Sequence, residues 1–110
     1  MVNTISRDEL KARMDRGTVI VVETLPRNYF DDGHLPGAVH LGNENVAGIA
    51  PRLLPDKSAV IVTYCASTTC ANSTQAAKAL ESAGYVNVLE YVEGKADWVE
   101  AGLPLERGDR

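Results

Sequence analysis

The chain has 110 residues, enough for one ordinary domain with its own hydrophobic core and no need of disulfide staples. Its net charge is -4, and its basic residues are scattered or interleaved with acids, as in 7–16, so no nucleic-acid partner is expected. No apolar run reaches the length of a membrane span, no signal-peptide pattern opens the chain, and only two cysteines are present; a cytoplasmic, reduced setting away from any membrane is expected.

In chain order, Ser6-Arg7-Asp8-Glu9 reads as a capping box that opens a helix over 7–16. Leu10 and Met14 fall one turn apart on its inner face, and Gly17 suits a left-handed stop. Residues 18–23 are apolar and β-branched up to Glu23. Continuous rather than alternating apolarity predicts a strand buried on both faces, as in a parallel sheet. Pro26 is suited to start a short helix through residue 32, ended by Gly33. A short strand over 38–41 and a helix over 45–53 follow, with Pro51 blurring the end of the helix.

After a turn at 54–57, residues 59–64 repeat the continuous apolar pattern of a buried strand. A helix over 73–83 should bury Ala76, Ala77 and Leu80 and stop at Gly84. A strand over 86–91 and a helix over 95–101 carrying Trp98 and Val99 close the pattern, and a polar tail over 106–110 is expected to fray. Helices alternate with buried strands throughout. The expected architecture is therefore a single α/β domain over 1–110, a three-layer arrangement with a central, mainly parallel sheet flanked by helices.

Cys65 stands directly after the apolar run 59–64. The residues that follow, Ala66, Ser67, Thr68, Thr69, Cys70 and Ala71, are small or polar and lead into a helix start at Asn72-Ser73-Thr74-Gln75. In open α/β sheets, ligands gather beyond the carboxyl ends of the strands. A curled loop there aims amide N–H groups inward as an anion nest, and the following helix adds the positive end of its dipole. The anion held could be a Cys65 thiolate, a sulfur-bound oxyanion or a phosphate. The plain alternative is a small buried thiol that ends a strand.

These residues resemble a known family. Val19 to Val22, Glu23 and then Gly33-His34-Leu35-Pro36-Gly37-Ala38 are similar to the rhodanese signature of a buried strand ending in an acid and followed by "GHIPGA". Ile61-Val62-Thr63-Tyr64-Cys65 resembles the "VYC" that opens the rhodanese active-site loop. Ala77, Leu80, Gly84-Tyr85, Val88, Gly94, Trp98 and Ala101-Gly102-Leu103-Pro104 resemble the family's remainder. The resemblance implies sulfur transfer. Cys65 would take sulfur from thiosulfate or a persulfide donor, hold it as a persulfide stabilised by loop amides, and pass it to a thiol or to cyanide. The implied partners are a small sulfur donor and a thiol acceptor, either of which could be a protein. No cofactor and no metal are implied.

The loop departs from the common pattern in three ways. Ala66 and Cys70 stand where arginine is frequent, so no cation lies within it. Glu23-Thr24-Leu25 replaces the "Asp-x-Arg" of many members, so the ion pair of that motif is missing or remade. Cys65 and Cys70, separated by four residues, are similar to a subgroup with two loop cysteines. Three roles stand open for Cys70: lining the loop, resolving a Cys65 persulfide or sulfenate by forming an intraloop disulfide, or joining His34 and His40 at a metal. Glu23, His34 and Lys95 are supporting candidates. Glu23 reaches the loop or makes a structural bond, His34 orders its own segment, and Lys95 is the one nearby cation for an oxyanion. The rival functions are a non-catalytic binding or regulatory module on the same fold, and a cysteine-dependent phosphatase or arsenate reductase. The latter needs an arginine six positions after the cysteine, where this chain has Ala71.

Overall fold

The computed structural model describes residues 2–42 and 44–107. In chain order the elements are β1 (Asn3–Thr4), α1 (Arg7–Arg16), β2 (Ile20–Glu23), α2 (Arg27–Asp32), β3 (Val39–His40), α3 (Val46–Leu53), β4 (Val60–Tyr64), α4 (Asn72–Ser82), β5 (Asn87–Tyr91) and α5 (Gly94–Glu100). The strands form one sheet in the order β1-β5-β4-β2-β3, and every neighbouring pair is parallel. Helices cover both faces, so the α/β three-layer expectation is met.

The pairing register explains the apolar runs. Ile20, Ile61 and Val88 are aligned across β2, β4 and β5, and they pack toward α3 and α4 with Ala50, Ala76, Ala77 and Leu80. The next residues along, Val21 and Val62, face the opposite layer with Leu10 of α1, Phe30 of α2 and Trp98 of α5. Side chains alternate between faces along a strand, so a sheet covered on both sides needs apolar residues at every position. Each fully buried large aliphatic side chain contributes about 1.5–3 kcal/mol.

Several local expectations are corrected. The two-residue β1 beside β5 has no apolar signature and is absent from the pattern reading. Ser6 caps α1 by accepting from the Glu9 amide at 3.2 Å, but the Glu9 carboxylate turns to Arg13 at 2.9 Å instead of reaching back. The helix expected over 45–53 is present as α3, and Pro51 is accommodated inside it. The last helix carries Trp98 and Val99 as expected; Trp98 is buried, its indole N–H donating to the Pro104 carbonyl at 2.8 Å, and Val99 is exposed. The frayed tail does not begin at Glu106. The backbone of Glu106 exchanges two 2.8 Å bonds with His34, and its carboxylate accepts from the Gly37 amide. Residues 108–110 of that expectation lie outside the described residues. Among the described residues, no helix is long and apolar enough to cross a membrane.

Candidate active site

The strand ends build the site. Glu23, Tyr64 and Tyr91 are aligned at the carboxyl ends of β2, β4 and β5, and Cys65 is the next residue after Tyr64. Cys65 is only 1% exposed. Thr24, just past β2, ties the strand end down: its amide and hydroxyl both donate to the Tyr64 carbonyl, at 3.2 and 2.9 Å.

Two elements then clamp the loop. On one side, the first amides of α5 reach back to it. The Lys95 N–H donates to the Cys65 carbonyl at 2.9 Å, and the Ala96 N–H donates to the Ala66 carbonyl at 2.8 Å. This approach requires glycine at residue 94. Gly94 has φ +70°, and a Cβ there would lie 2.5 Å from the Cys65 carbonyl oxygen. On the other side, the start of α4 is stitched to both neighbouring strand ends. Asn72 donates to the Thr24 carbonyl at 3.2 Å, and the Ser73 and Thr74 hydroxyls both donate to the Glu90 carboxylate at 2.7 Å. The Thr63 hydroxyl donates to the Ser73 carbonyl at 3.0 Å. Ser73 and Thr74 therefore do not cap α4. Its N-cap is Ala71, with no side-chain hydrogen bond, so the end of the helix stays open toward the loop.

Within the loop, the Cys70 amide donates to the Ser67 carbonyl at 3.1 Å, and the Ser67 and Thr69 hydroxyls share a 3.0 Å bond. That turn folds the chain back so that Cys70 meets Cys65. The two sulfurs are joined as a disulfide, with the Cα atoms 6.2 Å apart, inside the usual span for such a bond. Among the described residues, the amides of Ala66, Ser67, Thr68 and Thr69 donate to no protein acceptor. The free loop amides and the uncapped start of α4 both follow Cys65 at the carboxyl end of β4, the segment where the loop composition leads one to expect an anion nest.

The supporting candidates separate clearly. The Glu23 carboxylate is fully buried and accepts from the Tyr64 hydroxyl at 2.6 Å and from Lys95 Nζ at 3.0 Å. Lys95 Nζ also donates to the Tyr29 carbonyl at 3.2 Å. The expected oxyanion cation is thus engaged by a carboxylate and a carbonyl, and the missing strand-end ion pair is remade between Glu23 and Lys95. Burial, reinforced by the Glu23 carboxylate, holds the Tyr64 phenol well above its ordinary range. Tyr64 in turn accepts from the Leu35 amide at 3.1 Å, linking the site to the His34 segment. His34 itself is not in the loop. Its ring stacks on Phe30 at 3.9 Å, and its Nδ1 pairs with the Phe30 carbonyl at 2.9 Å. His40 is bound to the Leu25 carbonyl at 2.7 Å. Neither histidine joins the cysteines, and no metal-type cluster occurs among the described residues. Sequence reading did not single out Tyr64, Thr24, Asn72 and Glu90. Gly94 carried a signal: a glycine at the last strand-to-helix turn.

The sequence and the fold are similar to those of known proteins. The family model of the rhodanese-like domain matches residues 6–101. The chain is 31% identical over 106 residues to the HTH-type transcriptional regulator Rv0324 of Mycobacterium tuberculosis, covering 96% of this chain and 46% of that protein. It therefore spans about half the length of that relative. It is 30% identical over 97 residues to the thiosulfate sulfurtransferase GlpE of Shewanella oneidensis, covering 88% of this chain and 92% of that one. The solution structure of the rhodanese-like domain of the Anabaena sp Alr3790 protein superposes with a TM-score of 0.84 at 30% identity, covering 97% of this chain and 80% of that one. The human single-domain sulfurtransferase TSTD1 shares the fold, with a TM-score of 0.81 at 20% identity over 91% of this chain and 97% of that one. With the match running from the cap of α1 to the end of α5 and the cysteine loop inside it, the chain belongs to the rhodanese-like domain family.

Proposed function

We propose that the protein is a sulfurtransferase that carries sulfane sulfur as a persulfide on Cys65. The observation that carries this reading is the nest. Four loop amides without protein acceptors and an uncapped α4 directly follow a cysteine at the end of a buried strand. Hydrogen bonds to a charged group are worth about 1.5–3 kcal/mol each, and a partly buried helix N-terminus adds up to ~2 kcal/mol. These donors favour the thiolate of reduced Cys65 and then the terminal sulfur of its persulfide. The thiolate attacks the outer sulfur of the donor, and the remainder of the donor leaves as a thiolate or as sulfite. An acceptor thiol or cyanide then attacks the outer sulfur of the persulfide and regenerates Cys65.

The charges around the nest favour one class of donor. The loop contains no lysine or arginine, and the ammonium of Lys95 is held by Glu23. A thiosulfate dianion finds no uncompensated cation there, whereas a low-molecular-weight or protein persulfide brings less charge to be matched. The preferred donor is therefore a persulfide, and the acceptor is a thiol. Thiocyanate formation from cysteine persulfide and cyanide tests the reading. Turnover that disappears in Cys65→Ser supports it. Equal rates in wild type and Cys65→Ser contradict it.

A further inference from the structure

We infer that Cys70 adds a second activity to this site, the reduction of the bound sulfane sulfur to hydrosulfide. The inference rests on the Cys65 persulfide reading and extends it. Its basis is the loop geometry. The Ser67–Cys70 turn brings Cys70 onto Cys65, and the structure joins the two sulfurs. A persulfide on Cys65 is a disulfide in which one sulfur carries hydrogen. A thiolate in disulfide-forming position is therefore in position to attack it.

The chemistry balances as follows. The Cys70 thiolate attacks Sγ of the Cys65 persulfide. The bond between Sγ and the outer sulfur breaks, and the outer sulfur leaves with the electron pair as hydrosulfide. Two cysteine thiols are oxidised to the Cys65–Cys70 disulfide, and one sulfane sulfur is reduced to sulfide. An external dithiol is the reductant that restores the pair. Its first thiolate forms a mixed disulfide with Cys70 and expels Cys65 as a thiolate. Its second thiol then releases Cys70 and closes the dithiol into its own disulfide. The net reaction converts a persulfide and a dithiol into a thiol, hydrosulfide and a disulfide.

Exposure sets the direction of reopening. Cys65 is 1% exposed, whereas Cys70 is half-buried. Thiol exchange goes to the accessible sulfur. Attack at Cys70 also leaves Cys65 as the departing thiolate beside the free amides of Ala66 to Thr69. The cycle therefore returns the carrier thiol, not the resolving thiol, to the nest.

The test is a single turnover. Fully reduced full-length chain is freed of reductant and mixed with an equivalent of cysteine persulfide. A sulfide electrode follows hydrosulfide, and intact mass follows the chain. Wild type is expected to release hydrosulfide in proportion to chain and to end two hydrogens lighter than it began. Cys70→Ser is expected to lose that release and to hold a one-sulfur gain. If wild type also stops at the one-sulfur adduct, or if Cys70→Ser releases hydrosulfide as fast, the inference is overturned while the Cys65 reading survives. If neither protein gains sulfur nor releases hydrosulfide, both are overturned. A second measurement needs no variant. Oxidised wild type is opened with 2-mercaptoethanol in the presence of iodoacetamide and then peptide-mapped. The alkyl group is expected on Cys65 and the mercaptoethanol on Cys70; the reverse placement overturns the assigned direction.

Discussion

Lys95 Nζ lies 3.0 Å from Glu23 Oε2, joining residues 72 positions apart at the base of the cysteine loop. Glu23 is 0% exposed, and the Lys95 side chain is 16% exposed. The pair holds α5 against the end of β2, and the same lysine's amide holds the Cys65 carbonyl. Removing one member of a buried pair leaves the other charge without compensation, at a cost of about 3–5 kcal/mol. Lys95→Met is expected to lower stability by about that amount in urea unfolding, because the Glu23 carboxylate is then stranded. Adding Glu23→Gln to it should recover part of the loss. Additive losses across the double-mutant cycle would contradict the coupling.

Gly94 tests the clamp on the loop. A methyl group there meets the Cys65 carbonyl oxygen at 2.5 Å, and the backbone lies in the left-handed region. Gly94→Ala is expected to cost about 1–3 kcal/mol of stability. It should also slow sulfur transfer by more than tenfold, because α5 can no longer seat against the loop. Unchanged activity in a folded Gly94→Ala protein would show that the clamp does not position Cys65.

Donor preference follows from the missing loop cation. Ala66 is exposed, so a long side chain can be accommodated there. Ala66→Arg is expected to raise kcat/KM for thiosulfate about tenfold, equivalent to about 1.4 kcal/mol, and to leave transfer from cysteine persulfide nearly unchanged. An equal gain with both donors would attribute the effect to something other than oxyanion charge.

Alkaline pH should weaken the fold through Tyr64. Burial and then the Glu23 carboxylate raise its phenol well above the ordinary range. Burial also raises Tyr91, whose hydroxyl donates to Asp97 at 2.6 Å. A group whose pKa is raised on folding stabilises fully below its unfolded value, and that stability is lost as pH rises above it. Unfolded tyrosine ionises near pH ~10, so above that point Tyr64 alone should remove about 1.4 kcal/mol per pH unit. Tyr91 adds to the loss in the same direction, lessened by the charge of Arg7 nearby. Urea midpoints measured from pH 9 to 11.5 check this; a flat profile would contradict the buried, protonated state of Tyr64.

The features legible in the sequence are those carried by local pattern. The continuous apolar runs of β2 and β4 announce a parallel sheet because both of its faces are covered. The small loop after β4 announces a nest because its chemistry is contiguous in the chain. What was not legible depends on distant residues meeting. β1 is two polar, exposed residues whose strand character comes only from pairing with β5. Glu106 looks like the start of a tail until His34 supplies its partner. Lys95 looks like a free cation until the fold brings Glu23 to it. Ser73 and Thr74 read only as a polar helix start until Glu90 claims both hydroxyls. In each case a partner far along the chain outweighs the local preference.

The central claim is that Cys65 carries the transferred sulfur. Intact mass spectrometry of reduced Cys70→Ser after exposure to cysteine persulfide tests it most directly, with Cys65→Ser as the comparison. The account predicts a reducible one-sulfur gain in Cys70→Ser, mapped to Cys65, and no gain in Cys65→Ser. A gain of the same size in Cys65→Ser, or none in Cys70→Ser, would contradict it.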